Sequence, residues 1–231
     1  RLPFVITAVN RSISAPINIQ VDHQDTMSLR DAGLIQFYVE SSQEAYDIHL
    51  AAFKIAEDPA IMLPVMVCMD GWVLTHSYER VELLDQDTVD QFLPGFQPQN
   101  YLDPADPKTW GSYAEADILM EFKYAIHQAM TAGKPRIREI LAEVATITGR
   151  DHGGLIEAYR TDDADVVLVA MGSVVGTIKD AVDALRHGGK KVGLVKIRCY
   201  RPFPHTEILE AVRGARVVAV MDANFSMGSE G

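Results

Sequence analysis

A layered α/β fold is predicted by three observations: short apolar runs of strand length, stretches of helical periodicity between them, and recurrence of this alternation before residue 75 and after residue 165. Leu2 to Val9 is mostly apolar, partly β-branched and short, as expected of a buried strand in a parallel sheet. The polar, turn-prone stretch from Asn10 to Asp31 follows, broken by Ser14, Pro16 and Asn18. Loops after such strands open at the carboxyl edge of the sheet, where α/β proteins place their ligands, so this stretch is the first place to look for a site. Ser41 and Ser42 precede Gln43-Glu44 as a helix start, and Ala45, Ile48, Ala51, Ala52 and Ile55 recur at helical spacing until Pro59 stops the pattern. Ile61 to Met69 reads as a second buried strand, ended by the turn Asp70-Gly71.

From Asp85 to Pro107 the chain is rich in Pro, Asp and Gln and reads as an extended connector. Glu115 to Thr131 and Pro135 to Gly149 are predicted helices. The second is amphipathic through Ile137, Ile140, Leu141, Val144 and Ile147, and both are expected to tie two domains together. Asp165 to Gly172 then begins the second alternation. Ser173 can cap a helix carrying Ile178, Ala181, Val182 and Leu185, which ends at Gly188-Gly189. The strand Val192 to Ile197, the bend Arg201-Pro202-Phe203-Pro204, a short helix from Thr206 to Val212 and the strand Arg216 to Met221 complete a βαβαβ pattern.

A chain of 231 residues exceeds one usual domain of roughly 100 to 200 residues, so one complete unit plus part of another is expected, with two partial units as the alternative. It opens on Arg1 and closes on Ser229-Glu230-Gly231, so it reads as part of a longer polypeptide. The net charge of −11, spread without a basic stripe, argues against nucleic acid as a partner. No apolar run approaches the ~18 residues needed to cross a bilayer. Lys196 and Arg198 alternate along a strand and are read as solvating one edge. Cys68 and Cys199 lie in or beside apolar segments, as small buried hydrophobes of a reducing compartment do, and two thiols cannot ligate an iron–sulfur cluster that needs about four.

Gly172-Ser173-Val174-Val175-Gly176 follows a strand and opens a helix, where a phosphate could sit. It lacks the dinucleotide fingerprint and the P-loop ending, so a structural tight turn is the favoured reading, with direct dinucleotide binding as the alternative. Asp22-His23-Gln24-Asp25, with Asp31 nearby, matches no metal signature and reads as a self-hydrogen-bonded loop whose His pairs with its own acids. His76-Ser77 are neighbours with no nucleophile elbow, which argues against a hydrolase. Arg11 stands two residues after the first strand, at the loop that should form the functional edge. A guanidinium there suits a bidentate contact to a carboxylate or phosphate; pairing with Asp22 or Asp25 to stiffen the loop is equally open.

Six strings occur in order along the chain: Leu2-Pro3-Phe4-Val5, Asn10-Arg11-Ser12, Asp22-His23-Gln24-Asp25, Gln43-Glu44-Ala45, Asp70-Gly71-Trp72 with Thr75-His76, and Lys196 to Pro204. Together they resemble the alpha subunit, or alpha region, of pyruvate and related 2-oxoacid:ferredoxin oxidoreductases. The resemblance implies that residues 1–85 form the later part of a domain holding the pyrimidine side of thiamine diphosphate, 86–154 a helical connector, and 155–231 a C-terminally truncated, transketolase C-terminal-like α/β domain. It implies oxidative decarboxylation of pyruvate to acetyl-CoA, with electrons passed to ferredoxin. It places Arg11 on the 2-oxoacid carboxylate with Asn10 beside it, and leaves Asp22, His23, Asp25 and His76 as supporting loop residues near the cofactor.

On the same resemblance the thiamine contacts lie upstream of Arg1, and this chain ligates no metal. Mg²⁺ and the diphosphate, iron–sulfur clusters and coenzyme A would be held elsewhere in a cytoplasmic assembly of beta-, gamma- and delta-type subunits or their fused equivalents, so this chain alone would be inactive. Alternatives are a relative acting on oxalate, branched-chain or aryl 2-oxoacids, and a non-catalytic interaction subunit.

Overall fold

The computed structural model describes residues 2–111 and 113–229. The first sheet has the order β1-β3-β2-β7, built from β1 (Val5–Asn10), β2 (Ile35–Tyr38), β3 (Val65–Asp70) and β7 (Cys199–Arg201). β1 and β2 both run parallel to β3, and β7 returns from the far end of the chain to pair antiparallel with β2. β3 is central and almost wholly buried. β1 was expected to be buried but lies at the sheet edge, with Thr7 and Val9 exposed on its open side.

Between the strands lie α1 (Gln24–Met27), a single turn inside the expected loop, and α2 (Ser42–Glu57). Ser41 caps α2 by accepting from the Glu44 amide at 3.1 Å, as its sequence position predicts. Ile48 and Ile55 of α2, 1% and 0% exposed, each contribute on the order of 1.5–3 kcal/mol by leaving water. They share their core with Ile137, Ile140, Leu141 and Val144 of α5 (Lys134–Thr148), the face marked by its periodicity. α4 (Leu119–Ala132) starts four residues later than expected. The expected connector carries α3 (Gln86–Phe92), capped by the Asp85 carboxylate on the Thr88 amide. After α5, Arg150 and His152 both converge on buried Asp47 of α2, Arg150 through two nitrogens at 2.8 Å, tying the following segment to the first unit.

The second sheet has the order β4-β6-β5-β8: β4 (Ile156–Tyr159) lies antiparallel on β6 (Val192–Ile197), while β5 (Val166–Ala170) runs parallel to both β6 and β8 (Val217–Val220). α6 (Val174–His187) packs through Val175, Ile178 and Val182, and α7 (His205–Val212) joins β7 to β8.

Lys196 and Arg198 do not solvate an edge. They are 1% and 0% exposed, and both donate to Glu44 of α2, Lys196 Nζ at 2.6 and 2.7 Å and Arg198 Nε at 2.5 Å. Burial opposes charge on Glu44, but Arg198 and Lys196 outweigh it and hold its carboxyl down at about 2. Strand periodicity correctly put the two cations on one face; the helix packed there supplies an acid, so that face is interior.

Candidate functional site

Parallel pairing of β1 with β3 places Asn10 beside Asp70 at the carboxyl ends of the two strands. The loops that follow therefore begin together, with Gly71 N–H donating to the Asn10 carbonyl at 3.0 Å. A Cβ on Gly71 would lie 2.5 Å from that carbonyl oxygen and 3.1 Å from Arg11 Cγ, so the absent side chain leaves room for the stem of Arg11. Arg11 is exposed, and among the described residues its guanidinium has no ion pair or hydrogen bond. It lines an open hollow of about 400 Å³ together with Val9, Ile19, Trp72, Thr75 and His76. His76 stacks on Trp72, ring centroids 4.3 Å apart.

The open alternative, in which Asp22 or Asp25 neutralises Arg11, is not what the loop does. Asp25 Oδ1 accepts from Asn10 Nδ2 at 2.8 Å and from the Thr26 amide at 2.7 Å, and its Oδ2 accepts from the backbone amide of Arg11 at 2.9 Å. Asp22 accepts from the Gln24 amide and so stabilises the local turn. Asn10 is fully buried and also donates to Thr26 Oγ1, which meets Tyr38 Oη at 2.7 Å, while Asn10 Oδ1 is buried without a partner among the described residues.

His23 pairs outside its own loop. Its Nε2 lies 2.9 Å from Asp70 Oδ1, against the expectation that it pairs with Asp22 or Asp25. Asp70 Oδ2 accepts from the Ser173 amide at 2.7 Å and the Ser173 hydroxyl at 2.5 Å. Burial works against the Asp70 charge, but hydrogen bonds from His23 and Ser173 hold its carboxyl below the ordinary range. Ser173 thus receives a cap from the other unit rather than capping α6 with its own side chain. A Cβ at Gly172, whose φ is +77°, would come within 2.9 Å of both Asp70 Oδ2 and His23 Nε2. This is the structural turn expected from the sequence, and Asp70 occupies the amide a phosphate would need.

Asp70, Ser173, Thr26 and Glu44 are the polar residues that sequence reasoning passed over as partners. A signal existed for Asp70, an acid at the carboxyl end of a buried strand. None existed for its partner 103 positions away.

A mostly parallel, mixed sheet with its polar loops gathered at the carboxyl ends of β1 and β3, locked to a second α/β unit, defines a ligand-binding α/β protein of two units. Residues 1–142 match the family described as pyruvate flavodoxin/ferredoxin oxidoreductase, thiamine diphosphate-binding, and residues 164–231 match pyruvate:ferredoxin oxidoreductase core domain II. The chain belongs to that thiamine-diphosphate-binding oxidoreductase family, as the ordered strings implied.

Among similar curated proteins, pyruvate synthase subunit PorA of Methanosarcina barkeri is 52% identical over 229 residues, covering 99% of this chain and 57% of that one. PorA of Pyrococcus furiosus is 47% identical over 232 residues, covering 100% and 58%. Ketoisovalerate oxidoreductase subunit VorA of Pyrococcus abyssi is 42% identical over 232 residues, also covering 100% and 58%. The chain therefore spans less than two thirds of the length of these relatives. A 2-oxoglutarate:ferredoxin oxidoreductase from Magnetococcus marinus, solved with 2-oxoglutarate, coenzyme A and succinyl-CoA bound, shares the fold at a TM-score of 0.62 and 16% identity over 97% of this chain and 42% of that one.

The described residues contain no group of three or more His, Cys, Asp or Glu side chains placed to hold a metal ion. Both thiols are buried, and burial pushes each well above the ordinary thiol range. No described helix is long and apolar enough to cross a membrane. Among the described residues, the edge presents the unpaired Arg11 guanidinium and, behind it, the buried unpartnered acceptor of Asn10.

Proposed function

We propose that this chain forms the substrate-carboxylate side of the alpha subunit of a thiamine-diphosphate-dependent pyruvate:ferredoxin oxidoreductase. One observation carries the reading: Arg11 presents a guanidinium with no partner among the described residues to a hollow at the carboxyl edge of the sheet. An acidic chain that leaves an arginine unneutralised there has a place for an external anion, and a planar fork matches a carboxylate. Pyruvate is favoured over a branched-chain acid because the PorA relatives are 46% to 52% identical and the VorA relatives 41% to 42%.

Thiamine diphosphate, when bound, supplies the carbon nucleophile and electron sink for decarboxylation. Arg11 orients the carboxylate for attack and departure, and Asn10 stands behind it. Gripping the carboxylate harder would not raise the rate, because that charge disperses as CO₂ forms. Asp22, His23, Asp25 and His76 keep the loop and the hollow in shape. The diphosphate with Mg²⁺, the iron–sulfur clusters, the coenzyme A site and the ferredoxin contact belong to beta-, gamma- and delta-type partners in a cytoplasmic complex.

Reduction of a low-potential dye by the intact complex tests this, with and without coenzyme A, comparing pyruvate with oxalate, 2-oxoisovalerate and phenylglyoxylate. Thiamine-dependent turnover with pyruvate is expected. No turnover with any of the four, from a complex shown to hold its cofactor and clusters, would overturn it in favour of a non-catalytic subunit.

A further inference from the structure

An acid next to an arginine ordinarily neutralises it, and Asp25 does not. Both of its oxygens are taken by N–H groups: the Asn10 side chain and the Thr26 amide on one, the Arg11 amide on the other. The carboxylate thus holds the backbone from which Arg11 projects while its own charge is satisfied by amides, and the guanidinium is left for an outside anion. From the opposite side, Gly71 offers no Cβ: one built there would meet the Asn10 carbonyl oxygen at 2.5 Å and crowd Arg11 Cγ at 3.1 Å, so its absence lets the Asn10–Arg11 backbone and the Arg11 stem lie close against β3. Resting on the reading of Arg11 given above, we propose that Asp25 and Gly71 are positioning residues for Arg11, the first fixing its amide and the second its stem, so that substrate carboxylate binding depends on both.

Asp25→Asn keeps the shape but turns one acceptor into an NH₂ that must face an N–H group, so the three bonds cannot all survive. In the intact complex, KM for pyruvate is expected to rise roughly 10-fold with kcat within about threefold, and Gly71→Ala is expected to act in the same direction. The decisive arm is a double-mutant cycle with Arg11→Ala. If Asp25 and Gly71 act through Arg11, neither substitution raises KM further once Arg11 is alanine, whereas a general loss of loop structure would add its own factor. Should Asp25→Asn prevent assembly, Gly71→Ala carries the same cycle. An additive cycle, or an unchanged KM in both variants beside a raised KM in Arg11→Ala, overturns the positioning role alone. An unchanged KM in Arg11→Ala itself brings down the functional reading and this proposal with it.

Discussion

Glu44 accepts a hydrogen bond from Arg198 Nε at 2.5 Å, across 154 positions of the chain and with both side chains at most 1% exposed. Lys196 completes the arrangement on the same carboxylate, and Arg198 also donates to the Gly154 carbonyl at 2.9 Å. The joint between the two units is therefore ionic at its centre. Such a buried cluster adds little net stability compared with an apolar core, but it is costly to break from one side.

Glu44→Gln would remove the carboxylate the two buried cations share, leaving Lys196 with Glu40 at 3.1 Å and Arg198 with Glu157 at 3.4 Å. We expect a loss of about 3–5 kcal/mol, read from the denaturant midpoint of the full-length subunit. A loss under about 1 kcal/mol would mean that the cluster is hydrated in solution.

Acid should weaken the joint in a defined window. The folded-state pKa of Glu44 lies below its ordinary 4.5, so its stabilising contribution is complete above that value and is lost as pH falls toward about 2. Asp70, also depressed from an ordinary 3.8, adds in the same direction. Melting temperature should fall steadily from pH 5 to pH 3, and the fall should be shallower in Glu44→Gln.

Another contact between the units is Asp70 on Ser173. Asp70→Ala removes the acceptor for the Ser173 amide and leaves buried His23 without its partner, at an expected cost of about 1–3 kcal/mol. Ser173→Ala, which keeps the amide bond, should cost less. Equal effects in the two variants would show that the hydroxyl, not the helix amide, is the contact that matters.

Arg11 tests function rather than folding. Arg11→Ala should lower kcat/KM for pyruvate by the equivalent of about 2–5 kcal/mol, chiefly through KM, with no change in melting temperature. Arg11→Lys keeps the charge but loses the fork, so an intermediate value is expected. An unchanged kcat/KM in Arg11→Ala would remove Arg11 from the site.

Cys68 and Cys199 should resist a thiol reagent in the folded protein and react only as fast as the chain opens. Burial disfavours both thiolates. Rapid labelling of either in the native state would contradict their placement.

Local pattern was legible wherever the physics is local. The apolar runs at β1, β3, β5 and β6, the Ser41 cap and the inward face of α5 all follow from spacing and side-chain chemistry over a few residues. β2 was passed over because it is four residues long and carries Gln36, a polar residue buried by donating to the Thr26 carbonyl. β4 is equally short and carries Glu157, which pairs with Lys179. α3 was hidden by the composition of its surroundings.

By itself the sequence determined most of the alternation of strands and helices and the position of Arg11 at the head of the loop that follows β1. Through its ordered strings it also determined the family. Only the tertiary structure decided which charges are interior and which are free. That Arg198 is buried on Glu44 while Arg11 faces open space depends on elements brought together from distant parts of the chain. Charge pairing is set by distance and dielectric in space, and neither can be read from spacing along the chain.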